Sequence, residues 1–288
     1  MNRTSIGLIG LGLLGSAVAD RLRAAGWMLC GFDIQPERVR EFARIGAEVC
    51  DSAADVFDAC GVVLLALPDS NATAAVLNAV DARPGTTILD LTTGDPDRMA
   101  GFGQRLAKSG IAYVDATVGG SSEQVRKHDA IVMAGGEKQA IECMHELLKS
   151  FAREVFHVGG WGSGARMKLA MNLVLGLNRA ALAEGLAFAR AMGLELEMAL
   201  RVFQAGPAWS RAMDVKGQRM IERNFTPAAR LSQHRKDVDL ILAAAEQAGA
   251  QTPLSRVHRD LLVKVECAGF GAEDNSAILR AFELEEER

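Results

Sequence analysis

The feature that most constrains this chain stands near its start. A short apolar run, Ile6 to Ile9, leads straight into Gly10-Leu11-Gly12-Leu13-Leu14-Gly15 and then into helical apolar spacing. A strand, a tight glycine turn and a helix in that order open a dinucleotide-binding βαβ unit. Gly10 permits the turn, Gly12 lets the main chain approach a pyrophosphate, and Gly15 lets the helix pack closely on the strand. The free amides at the helix start then face the anion. A glycine-rich turn alone is a weak signal, and Asp33 strengthens it. It stands eighteen residues after Gly15, at the end of the second expected strand. A carboxylate there accepts hydrogen bonds from the adenosine ribose hydroxyls and repels a 2′-phosphate. Ile34-Gln35 follow with no adjacent arginine, so NAD is expected over NADP, and Arg38 is read as an exposed helix residue.

From Ser5 to about Val158, short apolar runs alternate with helical spacing, the rhythm of βαβ units on a parallel sheet. Strands are expected at Ile6 to Ile9, Met28 to Asp33, Val62 to Ala66, Thr87 to Leu91, Ala112 to Ala116, Ile131 to Ala134 and Glu154 to His157. Helices are expected at Gly15 to Ala25, Pro36 to Ile45, Asn71 to Val80, Asp95 to Ser109 and Gln139 to Phe151. Past the glycine-rich stretch 159–164 the composition shifts to Ala, Leu, Met, Glu and Arg, with no strand pattern to the end. Gly164 to Met192 reads as one long helix, apolar on more than one stripe, which calls for burial on several sides. The fold class expected is an α/β Rossmann domain, 1–161, followed by an all-α domain, 162–288. Two loops, Leu67-Pro68-Asp69-Ser70 and Thr92-Thr93-Gly94-Asp95-Pro96, lie at the carboxyl ends of strands, where open α/β sheets bind ligands. Either one alone is more often a helix-capping turn, and their shared sheet edge raises a cofactor role for both.

A net charge of -4 and a pI near 5.8 give no electrostatic support for binding nucleic acid or an anionic membrane. The five cysteines, at 30, 50, 60, 143 and 267, are scattered without metal spacing and read as reduced thiols. No metal is expected. The N-terminal apolar run is too short and too glycine-broken for a signal or a span, so the cytoplasm is the expected location. The acidic tail from Glu283 reads as a solvated end.

Asp115-Ala116-Thr117-Val118-Gly119-Gly120-Ser121-Ser122 and Gly162-Ser163-Gly164-Ala165-Arg166-Met167-Lys168-Leu169-Ala170-Met171-Asn172 carry a resemblance. The chain resembles the β-hydroxyacid dehydrogenases, the family of 3-hydroxyisobutyrate dehydrogenase and tartronate semialdehyde reductase, over almost its whole length. The resemblance implies that Gly10, Leu11, Gly12, Leu13, Leu14, Gly15, Leu67, Pro68 and Thr93 hold NAD and that Lys236 lies near the nicotinamide. It implies that Lys168 is the catalytic lysine and that Asn172 binds substrate. It also places substrate against Thr117, Gly119, Gly120, Ser121 and Ser122. There the family usually reads Asp-Ala-Pro-Val-Ser-Gly-Gly, whereas here Thr117 replaces proline, Gly119 serine and Ser121 the second glycine. Ser121 and Ser122 offer hydroxyls from a shifted position. This loop is also similar to that of sulfolactaldehyde reductases, which take a sulfonate in place of a carboxylate. His128 stands where glycine is usual, and Leu173 where a second asparagine is common.

The residues themselves agree on the central pair. Lys168 and Asn172 are four apart, so on a helix they share one face and meet the same small molecule. The activity expected is the interconversion of a small β-hydroxy acid, or hydroxy sulfonate, with its semialdehyde. NAD carries the hydride and Lys168 moves the proton. The alternatives are imine reduction on the same architecture and a non-catalytic dinucleotide-binding scaffold. A long apolar helix poorly covered by the residues after it implies a homodimer or homotetramer.

Overall fold

A computed structural model describes residues 5–283. The chain forms two compact units, Met1–Lys168 and Leu169–Arg288. The first is built on an eight-stranded sheet: β1 (Ile6–Ile9), β2 (Leu29–Phe32), β3 (Glu48–Val49), β4 (Val62–Leu65), β5 (Thr87–Asp90), β6 (Ala112–Gly119), β7 (Ile131–Gly136) and β8 (Glu154–Gly159). Its strand order is β3-β2-β1-β4-β5-β6-β7-β8. β1 therefore has β2 on one side and β4 on the other, both parallel to it, and the order reverses there. The carboxyl end of β1 opens onto the crevice where such sheets bind ligands.

Both faces of the sheet are covered, which is why its strands read as nearly continuous apolar runs. Side chains of β4 alternate. Val63 and Leu65 join an apolar layer with Ile9, Ile88 and Tyr113, while Leu64 joins the opposite layer with Leu8, Leu89 and Val114. The helices are α1 (Leu13–Ala24), α2 (Pro36–Arg44), α3 (Ala53–Ala59), α4 (Ser70–Ala79), α5 (Pro96–Ala107), α6 (Ser122–Arg126), α7 (Lys138–Cys143), α8 (His145–Lys149) and α9 (Ser163–Ala191). Polar side chains define several starts. Asp69 accepts from the amides of Asn71 and Ala72 to begin α4, and Asp95 from those of Asp97 and Arg98 to begin α5.

Four sequence expectations need correction. The sheet is not parallel throughout, because β6 pairs with β7 antiparallel. β6 runs on to Gly119, past its expected end at Ala116, and only residues 120–130 remain to reach β7. That is too short for a parallel crossover, which needs a dozen or more residues. Second, the expected helix 139–151 is two short ones, α7 and α8. Third, β3, α3 and α6 were not anticipated, being two, seven and five residues long and too brief to show a period. Fourth, Cys30 and Cys50 are not free thiols but a disulfide pair, with Cα atoms 6.5 Å apart. The parallel register of β2 and β3 sets Cys30 opposite Glu48, two residues before Cys50, and nothing in the spacing announces this.

The second unit holds all but the first turns of α9, then α10 (Leu196–Ala205), α11 (Gln218–Ile221), α12 (Leu231–Gln247) and α13 (Pro253–Val265). A π-helical turn, Met213–Gly217, precedes α11, and a 3₁₀ stretch, Asn275–Phe282, closes the unit. Among the described residues it contains no strand, only one isolated bridge between Arg230 and Asp274. Its core gathers Leu182, Ala183, Leu186, Met220, Leu231, Val238, Leu262, Val265 and Ile278. No helix among the described residues is long and apolar enough to cross a membrane.

Candidate active site

The glycine loop folds as its spacing requires. A Cβ on Gly15 would lie 1.9 Å from the Gly10 carbonyl oxygen, so the helix can approach the turn only as glycine. Gly12 is the N-cap of α1 and offers no side chain to its first amides. These donors stay available to an anion, and the helix dipole adds to their attraction. Leu13 is exposed at this edge, while Leu11 is buried and Leu14 half-buried. Asp33, 7% exposed, stands just past β2. Its Oδ2 accepts from the Leu11 amide at 2.7 Å and its Oδ1 from the Gln35 amide at 2.8 Å. The carboxylate thus fixes the glycine loop as well as the sheet edge. Arg38 is only partly exposed, and its Nη1 reaches Asp33 Oδ2 at 3.3 Å. The neighbouring loops cross-brace, since Thr92 Oγ1 accepts from the Leu67 amide at 3.2 Å. Pro68 is exposed, and Thr93, half-buried, follows Thr92 at the same edge.

The lysine is held by β6. Asp115, fully buried, accepts through Oδ1 from the Gly162 amide at 3.0 Å and through Oδ2 from the Ala165 amide at 2.9 Å. It ties the first turn of α9 to the sheet, and burial pushes its carboxyl up to about 6. Gly164 makes the approach possible, because a Cβ there would fall 2.1 Å from the Asp115 carbonyl oxygen. Thr117 does not face outward as an acid-binding group. It is fully buried, and its hydroxyl donates to the Gly164 carbonyl at 2.9 Å. One turn into the helix, Lys168 is 9% exposed, and its Nζ donates to the Val118 carbonyl at 2.7 Å.

The loop after Val118 carries Gly119 and Gly120, both half-buried, and then Ser121 and Ser122. Ser121 caps α6 in a reciprocal pair with Gln124: its Oγ accepts from the Gln124 amide, and Gln124 Oε1 accepts from the Ser121 amide. Its hydroxyl proton remains available for donation. Ser122 is buried. His128 has a left-handed backbone, φ +57°, which explains why glycine suits that position, and its Nε2 lies 2.8 Å from the Lys149 carbonyl oxygen.

In the second unit Asn172 is 5% exposed, and its Nδ2 donates to Asp237 Oδ2 at 3.0 Å. Asp237 is buried on α12, directly after the half-buried Lys236. Two residues that sequence reasoning missed therefore hold the proposed catalytic pair, Asp115 the start of its helix and Asp237 the amide of Asn172. The aspartate of the Asp-Ala-Thr motif and the Lys-Asp dipeptide were both visible, but neither pointed to its distant partner.

Residues 5–159 match the NAD binding domain of 6-phosphogluconate dehydrogenase, and residues 162–282 match the NAD-binding domain of NADP-dependent 3-hydroxyisobutyrate dehydrogenase. The chain belongs to the β-hydroxyacid dehydrogenase family. L-threonate dehydrogenase of Cupriavidus necator is 29% identical to it over 286 residues, 96% of each chain. The 2-hydroxy-3-oxopropionate reductase of Escherichia coli is 29% identical over 284 residues, 97% of each. A solved structure of Mycobacterium tuberculosis 3-hydroxyisobutyrate dehydrogenase with L-serine shares the fold. Its TM-score is 0.88 at 24% identity, covering 98% of this chain and 99% of that one. This member of the family is therefore an oxidoreductase with a dinucleotide-binding Rossmann unit, and the family implies small hydroxy acid substrates.

Proposed function

We propose that this dehydrogenase uses NAD(H) to interconvert a small β-hydroxy acid, or its sulfonate counterpart, with the semialdehyde. The observation that carries the reading is Lys168, a buried amine held on the Val118 carbonyl one helical turn before Asn172. NAD supplies or takes the hydride. Lys168 Nζ takes the hydroxyl proton in oxidation and returns it to the carbonyl oxygen in reduction. Asn172, with Nδ2 committed to Asp237, presents Oδ1 to the substrate hydroxyl. The amides of Gly119 and Gly120 and the hydroxyls of Ser121 and Ser122 bind the acid head.

Cofactor contacts are assigned to the loop Gly10 to Gly15, to Leu67, Pro68 and Thr93, and to Lys236 near the nicotinamide. Asp33 favours NAD by receiving the ribose hydroxyls where a 2′-phosphate would be repelled. Functionally we divide the chain into a cofactor domain, 1–161, and a substrate and assembly domain, 162–288. Assembly as a homodimer or homotetramer is supported by exposed apolar side chains of the helical unit, among them Val174, Phe188, Val202 and Leu254. A retained lysine at 168 favours the dehydrogenase over imine reduction or a non-catalytic scaffold.

Initial rates with NADH against three- and four-carbon semialdehydes, carboxylate and sulfonate versions side by side, test this reading. Lys168→Ala is expected to lower kcat by about 10²- to 10⁴-fold, the usual contribution of a positioned acid or base. The preferred head group reports what the Gly119 to Ser122 loop recognises. No turnover of either series would return the function to imine reduction or scaffolding.

A further inference from the structure

The one hydroxyl of the substrate motif that is turned fully inward meets the helix that carries the lysine. Thr117, on β6, donates to the Gly164 carbonyl at 2.9 Å. The Met133 carbonyl, directly opposite on β7, is a second acceptor at 3.3 Å. A hydroxyl has one proton to give, and the shorter contact gives it to the helix and not to the sheet. In an α-helix each amide donates to the carbonyl four residues earlier, and the residue four after Gly164 in α9 is Lys168. The Gly164 carbonyl, with two lone pairs, therefore joins the main chain of Lys168 to the side chain of Thr117.

The other end of the lysine returns to the same strand. Its Nζ donates to the carbonyl of Val118, the next residue of β6, at 2.7 Å. Lys168 is thus tied at both ends to two successive residues of one strand. Asp115, on the same face of β6 as Thr117, accepts from the amides of Gly162 and Ala165. Helical amides point toward the helix start and carbonyls away from it. Asp115 receives and Thr117 gives, so together they hold the first turn against movement in either direction along its axis. Little slack remains across the contact, because a Cβ on Gly164 would lie 2.1 Å from the Asp115 carbonyl oxygen and 2.7 Å from that of Met133. A misplacement of about 1 Å at a reacting centre can cost about 10²-fold in rate.

We propose that Thr117 is a positioning residue for Lys168: its hydroxyl, acting through the Gly164 carbonyl, sets where the lysine amine stands, without touching substrate. This rests on the dehydrogenase reading above, in which Lys168 moves the proton.

Substitutions at this position in the full chain test it. Thr117→Val puts a methyl where the hydroxyl stands, Thr117→Ala leaves the space open, and Thr117→Ser keeps the donor. Val and Ala should each lower kcat for semialdehyde reduction by about fivefold or more with NADH affinity unchanged, and Ser should restore it. In the Lys168→Ala background Thr117→Ala should cost nothing further, since a residue that acts only through Lys168 then has nothing to position. Acylation of Lys168 by an N-hydroxysuccinimide ester, read by mass spectrometry of its peptide, needs no turnover. Val and Ala should be labelled faster than wild type, and Ser should not. If the Val variant does not fold, Ala and Ser carry the test. Wild-type kcat in both Val and Ala, a loss that Ser shares, or a loss that persists without Lys168 would overturn the proposal. Lysine-dependent turnover indifferent to Thr117 defeats only this inference. Labelling that depends on Thr117, in a protein that turns over no semialdehyde, defeats only the dehydrogenase.

Discussion

Asp115 of the first unit and Asp274 of the second do the same structural task in different electrostatic settings. Both are fully buried, and both bind main-chain amides that belong to distant segments. Burial pushes Asp115 up to about 6, with its two amides opposing but not cancelling that cost. Burial acts on Asp274 too. There the Lys216 ammonium at 2.7 Å and the Ser276 bonds outweigh it and hold the carboxyl at about 2. Amides alone do not repay the desolvation of a carboxylate at this depth; a buried cation beside it does.

Removing that cation is the largest way to break the comparison. Lys216→Met should leave Asp274 charged and buried without its ion-pair partner, at a cost of about 3–5 kcal/mol, read as a drop in the denaturant midpoint at pH 7. The loss should shrink toward the pH at which the orphaned Asp274 takes up a proton. An undiminished midpoint would show that the amides suffice after all.

The second effect sharpens the contrast through its sign. A carboxyl raised in the folded state binds its proton more tightly there than in the unfolded chain. Asp115 therefore favours folding below its unfolded value of 3.8, and that contribution is lost as pH rises to about 6. At 1.36 kcal/mol per unit the swing is about 3 kcal/mol. Wild-type stability measured against Asp115→Asn should fall by that order between pH 4 and 6.5. For Asp274 the direction reverses, and stability is present above 3.8 and lost as pH falls toward 2. A flat difference between wild type and Asp115→Asn would mean that Asp115 is not perturbed.

Asp33 is held by two amides and by a longer contact to Arg38 at 3.3 Å. NADH is expected to bind more tightly than NADPH, and Asp33→Ser to narrow the gap by about tenfold, or ~1.4 kcal/mol. Equal affinities in wild type would remove Asp33 as the discriminator. Arg38 complicates this position in a way that reading it as exposed did not anticipate.

The cofactor end was legible because its requirements are local. A glycine loop, a strand end and a helix start lie within six residues, and each residue type has one geometric reason to be there. The antiparallel β7 was not legible, because it depends on β6 running three residues beyond its obvious apolar core. Asp115 gave no sign of its partners, which lie 47 and 50 residues away. Thr117 reads as a substrate hydroxyl in the motif, yet it spends that hydroxyl on the Gly164 carbonyl. The family resemblance points to Lys168 and Asn172 and their spacing of four agrees with it, but nothing pointed to Asp237, 65 residues on.

By itself the sequence determined the Rossmann unit, the helical unit after it and the face of α9 that carries Lys168 and Asn172. Periodicity, turn chemistry and fixed spacing act over a few residues and need no knowledge of the rest of the chain. Only the tertiary structure decided which buried charges are paired and which hydroxyls are already spent. Those outcomes depend on how much water is excluded and which distant groups arrive in its place.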